Sequence, residues 1–484
     1  MKKITGLIGI LSLYTFLQAF LFTGATKAPA YEAFAVDTLA SGLSVPWDIV
    51  FLPGRDMLFT ERPGRVRLYR NNQLVQKPVL TIGDIEVKGK MGLLGCCLHP
   101  AFAVNHFVYL AYNYRSGTQT FLRVARYEFI SDSLQNPVTI IENIPGVFNH
   151  TGCRLKFGAD KKLYVSTGDA DVPRLAQDLK VYNGKILRLE ENGTVPADNP
   201  FVKNDTALHE IWTYGHRNPQ GLAFQPGTNY LFSSEHGPTG GDEINLIARG
   251  NNYGWPVIHH RNSQDGMMMP LMEFTPSIGP AEALFYSGKA FPFLKGHLLV
   301  ACMRGEAILD VELKNNKISS YNFLLKNKFG RIRALAEGPD GFLYFSTSQV
   351  DPPESNLQAG EKGFDMIVRL KPAPAVQEVT SLAFPQERMQ AAITAADTAA
   401  AKTNHSHASS QQYAQLCAGC HGDRMQGREK VPSLVDKEWL NGSSKQAIKK
   451  SIAQGIVSKG MPAWEGVLTP ADIDRMADHI RKGK

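Results

Sequence analysis

The segment Cys417-Ala418-Gly419-Cys420-His421 combines residue types and a spacing that can do chemistry. Two thiols on one helical turn can each add to a haem vinyl group, and the adjacent imidazole can reach the iron. Half of a zinc site or a dithiol redox motif is the alternative, but zinc would need a second ligand pair and a dithiol needs no trailing histidine. We therefore predict one covalent haem c on Cys417 and Cys420, with His421 as an iron ligand.

The second axial ligand must come from elsewhere in the chain, and Met461 is the best candidate. Gly460 and Pro462 disfavour helix around it, so the segment can form a loop that crosses to the other haem face. Met425 follows His421 too closely to reach that face easily. Met476 falls in helical register with other apolar residues, which is typical of a core position.

The first 30 residues have the pattern of a secretory signal peptide. Lys2 and Lys3 precede an apolar run over residues 7–22, and small residues follow it. We predict that residues 1–30 are removed, that the mature chain is periplasmic or secreted, and that it keeps no integral membrane segment. Retention of the run as a membrane anchor is the alternative, although the run is near the lower length limit for spanning.

Composition and charge limit the classes of function. The chain has 484 residues, 43% hydrophobic and 20% charged, with a formal net charge of +7. Residues 411–484 carry 12 Lys and Arg against 8 Asp and Glu, but no stretch has the concentrated basic face of a nucleic-acid binder. Four further cysteines could oxidise after export in any of three pairings: Cys96, Cys97, Cys153 and Cys302.

The composition changes at residues 371–410, which contain eleven alanines and several prolines. We interpret this stretch as a linker. Residues 411–484 then form a small all-α haem domain, with a helix that carries the haem motif, one near Ser444–Ile452, and one that starts at Pro470 after a Thr469 cap. So small a core would be marginal alone, and the haem fills it.

Residues 31–370 contain a degenerate repeat of an apolar strand, a Gly/Pro/Asp turn and a second apolar strand. Six copies recur at intervals of roughly 45 to 70 residues. Radial repetition of antiparallel sheets predicts an all-β, six-bladed propeller around a central channel. A β-sandwich is the alternative, but it would not explain the repeated unit. The copies lie at Trp47–Gly54, Cys96–Pro100, Leu155–Ser166, Gly221–Gly227, Leu294–Val300 and Gly338–Ser346.

Several segments within this region resemble the soluble glucose/sorbosone dehydrogenases, which are six-bladed propellers that use pyrroloquinoline quinone (PQQ) and calcium. The part that follows the linker resembles a class I cytochrome c. Together they imply a quinoprotein sugar dehydrogenase fused to its own electron acceptor. The segments that carry the first resemblance are Gly92–Gly95, Asn149–Leu155, Gly215–Gly221, Glu235–Pro238, Gly241–Leu246 and Arg331–Arg333.

The resemblance assigns roles to residues that suit them chemically. Oxidation of a sugar hydroxyl needs a base for the O–H proton, and a neutral imidazole is well matched to that near pH 7. By resemblance this base is His150. Arg331 and Arg333 alternate about Ile332, so that both can hold PQQ carboxylates while Ile332 enters the core. Arg217 and Asn218 match further cofactor contacts, and Arg217 can also stabilise negative charge on the reduced quinone.

The same resemblance places calcium at the carbonyls of Gly237 and Pro238, in a loop that presents backbone oxygens. The bound calcium would polarise the quinone carbonyl. Asp242 and Glu243 could each add a carboxylate or hold the loop, and we favour a role in the loop.

This chain departs from the family pattern at four places. Lys90-Met91 stands where a glutamine usually precedes Gly-Leu-Leu-Gly, and we predict that Lys90 supplies a cofactor contact. Met303 or Arg304 stands at the position of the cofactor lysine of the fifth blade. Ala170 replaces a frequent glutamine, and Asn149 replaces an acid that sometimes precedes the base.

These observations predict a quinoprotein dehydrogenase that oxidises an aldose or related alcohol and passes electrons to its own haem. A downstream redox carrier would then reoxidise the haem. Two other classes remain as alternatives. One is a calcium-dependent propeller hydrolase such as a lactonase, and the other is a non-catalytic binding propeller fused to an electron-carrier cytochrome.

Overall fold

A computed structural model gives the fold. It describes residues 34–238, 240–260, 262–349 and 365–373, and in the C-terminal region residues 413, 421, 424–427, 433–435, 439, 442–454 and 470–482. The predicted signal peptide, most of the predicted linker, and Cys417, Cys420 and Met461 lie outside these residues. Among the helices in the described ranges, none has the length and apolar character needed to cross a bilayer.

Six antiparallel sheets form the β-propeller that the repeat predicts, five of four strands and one of five. Each sheet is one blade. The innermost strand of blades one to five is the first strand of the blade in the chain, and in blade six it is β23, because β1 is the outer strand of that blade. The 25 strands are β1 (Phe34–Leu43); blade one, β2 (Pro46–Phe51), β3 (Met57–Glu61), β4 (Arg65–Arg70), β5 (Gln73–Leu74) and β6 (Leu80–Thr81); blade two, β7 (Leu93–Leu98), β8 (Phe107–Ser116), β9 (Gln119–Ile130) and β10 (Ser133–Gly146); blade three, β11 (Leu155–Phe157), β12 (Leu163–Ser166), β13 (Lys185–Leu189) and β14 (Ile211–Tyr214); blade four, β15 (Pro219–Phe224), β16 (Leu231–Glu235), β17 (Asp242–Ile247) and β18 (Met272–Phe274); blade five, β19 (Pro280–Phe285), β20 (Leu298–Cys302), β21 (Ala307–Lys314) and β22 (Lys317–Leu324); blade six, β23 (Ile332–Glu337), β24 (Leu343–Thr347) and β25 (Asp365–Pro372).

Strand β1 closes the ring because it forms the outer strand of blade six. It pairs antiparallel with β25, from Phe34 opposite Pro372 to Leu43 opposite Asp365. The first and last parts of the propeller sequence therefore share one sheet, and ladder hydrogen bonds join the two ends of the ring. Arg369 and Lys371 of β25 both pair with Asp37 of β1.

Apolar side chains of neighbouring blades pack face to face, as period-two alternation requires. Leu94 and Cys97 of blade two pack in one cluster with Leu155 and Val165 of blade three. Cys96, Cys97, Cys153 and Cys302 are all buried free thiols. The oxidation that their export would permit is thus not present in this structure.

The inner strands β7, β11, β15 and β23 begin at the same end of the propeller, because Lys90, His150, Arg217 and Arg333 at their starts lie close together. We call the end at which they begin the site end, because His150, Arg217 and Arg331 precede inner strands there. Asp365, which starts β25, accepts hydrogen bonds from Val45 N at 3.2 Å and Gln349 N at 2.7 Å at this end. Strand β25 then runs to Pro372 at the opposite end.

Three α-helices lie within the described residues: α1 (Phe102–Asn105), α2 (Lys445–Gln454) and α3 (Pro470–Lys482). The last two match the helices predicted for the haem domain. Ser444 caps α2 through Oγ, which accepts from Ala447 N at 3.1 Å. Met476 is fully buried and packs with Ile473 and Ile480, as predicted for a core position.

Candidate functional site

His150 stands at the site end with two carboxylates on the same ring nitrogen. Its Nδ1 lies 2.8 Å from Asp169 Oδ1 and 3.0 Å from Asp171 Oδ1. Nδ1 therefore carries the proton and donates it, which leaves Nε2 as the acceptor nitrogen. Asp169 is fully buried, whereas the side chain of Asp171 is 43% exposed. Contact with His150 and Asn149 lowers the pKa of Asp171, although burial opposes this shift.

The backbone around the base is closely packed. Gly168 has no room for a side chain, since a Cβ there would lie 1.9 Å from the carbonyl oxygen of His150. Asn218 Oδ1 accepts from Gly152 N at 3.2 Å and so holds the loop that carries the base. This bond uses the side-chain oxygen of Asn218. The two Nδ2 hydrogens are then the donors that the predicted cofactor contact would use.

A tryptophan from blade four completes the support of the base. Trp255 donates from Nε1 to Asp169 Oδ2 at 2.8 Å. Its ring centroid lies 5.3 Å from the guanidinium carbon of Arg217. Gln177 Nε2 in turn donates to the Trp255 carbonyl at 2.7 Å and to Asn252 Oδ1 at 2.9 Å. We call the segment between β17 and β18, described at residues 248–260 and 262–271, the Trp255 loop, and Trp255 extends from it into the site.

Blades two, four, five and six supply a group of cations at the same end of the propeller. Burial lowers the pKa of Lys90 to about 8, and the charges of Arg333, Arg217 and Arg304 lower it further. Burial and Arg331 likewise lower the pKa of Arg333. Because each of these charges disfavours the others, this space favours a ligand with several negative charges.

The arginine pair at the start of β23 has the predicted arrangement. Ile332 is fully buried in the core between blades five and six. Arg331 Nε donates to the Ser348 carbonyl at 3.1 Å, and Arg333 Nε donates to Ser348 Oγ at 3.2 Å. Both guanidinium groups therefore lie on the same side of the strand. Met303 lies against this pair, with its sulfur 3.8 Å from Arg331 Nη2.

Arg217 and His236 bring polar atoms into this space without a protein partner. Arg217 Nη1 donates to the His236 carbonyl at 3.2 Å, but its Nε is buried and unpaired. Nε2 of His236 is also buried and unpaired. Burial, Lys90 and Arg217 hold the pKa of His236 well below its usual value. A buried polar atom without a partner is costly, so these atoms fit a site that a polar ligand completes.

The loop that carries Gly237 and Pro238 follows directly, and Asp242 holds it. Asp242 Oδ1 accepts from Gly237 N at 2.9 Å, and Oδ2 accepts from Ser277 Oγ, Ile278 N and Gly279 N at 2.6–2.8 Å. Both carboxylate oxygens of Asp242 are used within the fold, in agreement with the predicted role in the loop. The loop is tight, since a Cβ on Gly237 would lie 2.0 Å from the Gly240 carbonyl oxygen.

Glu243 belongs to a row of acids across blade four. It lies opposite Glu235 in β16 and Glu273 in β18. Burial and the charge of Glu235 raise the pKa of Glu243 to about 8. Asn245 Nδ2 donates to Glu243 Oε2 at 2.9 Å. These contacts lie within the sheet and agree with a structural role for Glu243.

His150, Asp169 and Asp171 also place their ligand atoms within 4.8 Å of one another, close enough to hold a metal ion. A calcium-dependent hydrolase is one of the predicted alternatives, and such an enzyme also needs a metal site. The separations of 2.8 and 3.0 Å between Nδ1 and the carboxylates are also hydrogen-bond distances, so the same three residues form an oriented imidazole.

The structure brings the predicted propeller residues together and adds others that sequence reasoning missed. Asp169 could have been found, because it follows closely after the end of β12 at Ser166, on the blade whose first strand follows His150. Trp255 had no local signal, since it lies 86 residues away from Asp169 in a turn between outer strands. Of the predicted haem residues, only His421 lies within the described residues, and its carbonyl accepts from Gly427 N at 2.8 Å.

The fold and the site define a class of protein: a six-bladed propeller with an oriented histidine beside a group of cations, of which Arg333 is buried and Lys90, Arg217 and Arg331 are half-buried. Comparison with known proteins gives the family. The sequence model of glucose/sorbosone dehydrogenases matches residues 43–353, and the chain belongs to this family. A model of the cbb3-type cytochrome c oxidase subunit III matches residues 407–480, so a C-terminal cytochrome c domain follows.

Individual relatives agree with both assignments. Aldose sugar dehydrogenase YliI of Escherichia coli is 33% identical over 333 residues, which are 65% of this chain and 90% of that protein. The PQQ-bound aldose sugar dehydrogenase of Streptomyces coelicolor is 30% identical with a TM-score of 0.62, and the match covers 71% of this chain and 99% of that one. The cbb3-type oxidase subunit FixP of Bradyrhizobium diazoefficiens is 41% identical over 70 residues, 14% of this chain and 24% of that subunit.

Proposed function

We propose that this protein is a PQQ-dependent dehydrogenase of an aldose or related alcohol that delivers electrons to its own covalently bound haem c, in the periplasm. The observation that carries the proposal is the position of an oriented base, His150, beside a group of cations at the site end, with Arg217 Nε and His236 Nε2 buried there without a partner. The hydrolase alternative accounts for the base but not for the cations or for the cytochrome domain.

The residues at the site end fit PQQ and its calcium. Lys90, Arg331 and Arg333 would hold its carboxylates, and their mutual repulsion would be relieved by those charges. Arg217 Nε and His236 Nε2 are donors or acceptors that a polar, planar ligand can use. The carbonyls of Gly237 and Pro238 would hold Ca²⁺, with Asp242 fixing their loop. When bound, PQQ with calcium supplies a hydride acceptor.

The chain itself supplies the proton transfer. His150 donates from Nδ1 to Asp169, so Nε2 is free to take the proton of the substrate hydroxyl. Asp169 holds the ring in this tautomer and stabilises the positive charge that the ring gains. Trp255 fixes the second oxygen of Asp169, and its indole also lies beside the guanidinium of Arg217.

The experiment is to produce the full chain with haem maturation, add PQQ and Ca²⁺, and follow haem absorbance across a panel of aldoses and alcohols. We expect haem reduction that requires both PQQ and an aldose. Binding of PQQ, measured by quenching of tryptophan fluorescence, provides a readout that does not depend on turnover. Absence of both binding and sugar-dependent reduction would refute the proposal.

A further inference from the structure

One loop at the site end combines a contact inside the site with an unusual number of exposed apolar side chains. The Trp255 loop carries four of the ten large apolar side chains that are exposed in the described part of the chain. We call these four the apolar patch: Val257 (49% exposed), Met268 (41%), Met269 (48%) and Leu271 (37%). Met268, Met269 and Leu271 lie within four consecutive residues, and exposed apolar groups that lie close together indicate a contact surface.

The patch is joined to the site by a short series of hydrogen bonds. Met268 N donates to the Asn252 carbonyl at 2.7 Å. Asn252 is bonded through its side chain to Gln177, which also binds the carbonyl of Trp255. Trp255 in turn contacts Asp169 and Arg217. A partner on the patch would thus lie beside the part of the propeller where the proposed reaction releases its electrons.

We propose that the apolar patch is the docking surface for the chain's own cytochrome c domain. This inference rests on the proposed function, because it supplies the route by which electrons leave the site. Oxidation of one hydroxyl releases two electrons and two protons. The electrons cross to the haem iron one at a time, each reducing Fe³⁺ to Fe²⁺, and an external one-electron carrier reoxidises the iron between them. The protons pass to solvent.

The chain that connects the propeller to the cytochrome c domain is long enough for this contact, although it leaves the propeller at the end opposite to the site. Strand β25 ends at Pro372, at the end of the propeller opposite the site. The eight residues of β25 span about 26 Å. The connecting chain must run back over this distance to bring the cytochrome c domain to the site end. About 37 residues separate Ala373 from Gln411. For a random coil of this length the mean span would be roughly 30–35 Å, and the fully extended span is greater.

The size of the patch favours a tethered partner over a second copy of the chain. A stable dimer buries about 1,600 Å² of surface in total. The four side chains of the apolar patch are too few to bury that area. A tethered domain has an effective concentration of about millimolar, so a small apolar contact suffices. Met267–Leu271 carries no charged residue. Such a contact can form and break quickly, as turnover requires, and flexible methionines adapt well to it.

The first test measures proximity and needs neither sugar nor cofactor. A fluorescent dye is attached to the full haem-loaded chain at Met269→Cys or, as the control, at Val104→Cys. Val104 is 83% exposed on α1, which follows the end of β7 at the opposite end of the propeller. The four propeller cysteines are buried, and burial raises the pKa of each thiol, so the dye labels the introduced cysteine.

We expect energy transfer to the haem to shorten the dye lifetime several-fold more at position 269 than at position 104. Equal lifetimes, or a shorter lifetime at position 104, would overturn the docking proposal. Because the linker leaves the propeller at the end that carries Val104, an undocked haem domain would favour position 104. The control is therefore stringent.

The second test separates electron transfer from sugar oxidation. In the PQQ-loaded double variant Met268→Glu, Met269→Glu, we expect haem reduction by sugar to slow at least tenfold. Reduction of a small diffusible dye by the same protein should match the parent, and Val104→Glu should leave both rates unchanged. If dye reduction slows equally, the patch belongs to the substrate site and the proposal is wrong.

Two further outcomes are distinguishable. A concentration-dependent dimer that the double variant abolishes would assign the patch to a second copy of the chain and overturn the proposal. If the parent reduces neither haem nor dye with any sugar, the proposed function fails. The lifetimes of the fluorescent label at positions 269 and 104 would still decide where the cytochrome domain docks.

Discussion

His150 Nδ1 and Asp169 Oδ1 lie 2.8 Å apart, and Trp255 binds the other oxygen of the same carboxylate at 2.8 Å. Three segments from two blades therefore fix one imidazole in one tautomer. This relationship turns a histidine at a strand entrance, which alone could be structural, into an oriented base.

Asp169→Asn should slow sugar-dependent haem reduction by about 10²–10⁴-fold, because the amide no longer selects the tautomer or stabilises the protonated ring. Asp171→Asn is the matched control, since it alters the second, more exposed carboxylate and should cost roughly fivefold. Stopped-flow absorbance gives both rates, and fluorescence quenching checks that PQQ still binds. Equal losses in the two variants would contradict the assigned role of Asp169.

Lys90 should make PQQ binding depend on pH. Burial and the neighbouring arginines lower its pKa to about 8 in the free protein, and an anionic ligand would raise that pKa. Binding at pH 8–9 should therefore take up protons, and affinity should fall as the pH rises above about 8. Calorimetry in buffers of different ionisation enthalpy measures the uptake.

Lys90→Gln should abolish this proton uptake, while Lys88→Gln, at an exposed position two residues earlier, should retain it. Uptake that is unchanged in Lys90→Gln would show that another group is responsible.

The acids of blade four should differ in their effect on stability. Asp242→Ala leaves four donors without their acceptor, so we expect a loss of about 2–4 kcal/mol in the free energy of unfolding, and weaker calcium binding. Glu243→Gln should cost little at pH 5, because the amide resembles the protonated acid. Thermal unfolding across pH, with and without calcium, measures both effects.

The pH dependence has a definite sign for Glu243. Its folded-state pKa of about 8 exceeds the usual 4.5, so the folded chain binds the extra proton between these values. The parent's stability should accordingly fall as the pH rises from about 4.5 to 8. Glu243→Gln should lack this decline, and an identical decline in both proteins would refute the shifted pKa.

Met461→Ala should remove the low-spin haem spectrum and lower the reduction potential, since the methionine is the predicted second axial ligand. Met425→Leu is the control. Met425 is buried in the core of the C-terminal helices, so its substitution should leave the haem spectrum unchanged. If Met425→Leu alters the haem spectrum and Met461→Ala does not, then Met425 and not Met461 is the second axial ligand.

The propeller could be predicted because its repeat is local: each copy shows a strand, a turn and a strand within about twelve residues. The positions of Arg331 and Arg333 about Ile332 were equally local, since alternation follows from the strand. The contacts that hold His150 in place could not be predicted in this way, because they join residues far apart in the sequence. Trp255 meets Asp169 only because blades three and four are neighbours, and no spacing in the sequence reports that contact.

The haem motif and the base can be tested together in one measurement. Haem reduction is followed after an aldose is added to the full chain loaded with PQQ and Ca²⁺, in the parent and in His150→Ala. We predict rapid reduction in the parent and a rate at least 10²-fold slower in the variant, with PQQ binding retained. Equal rates in the two proteins would contradict the account, because the base would then have no part in the reaction.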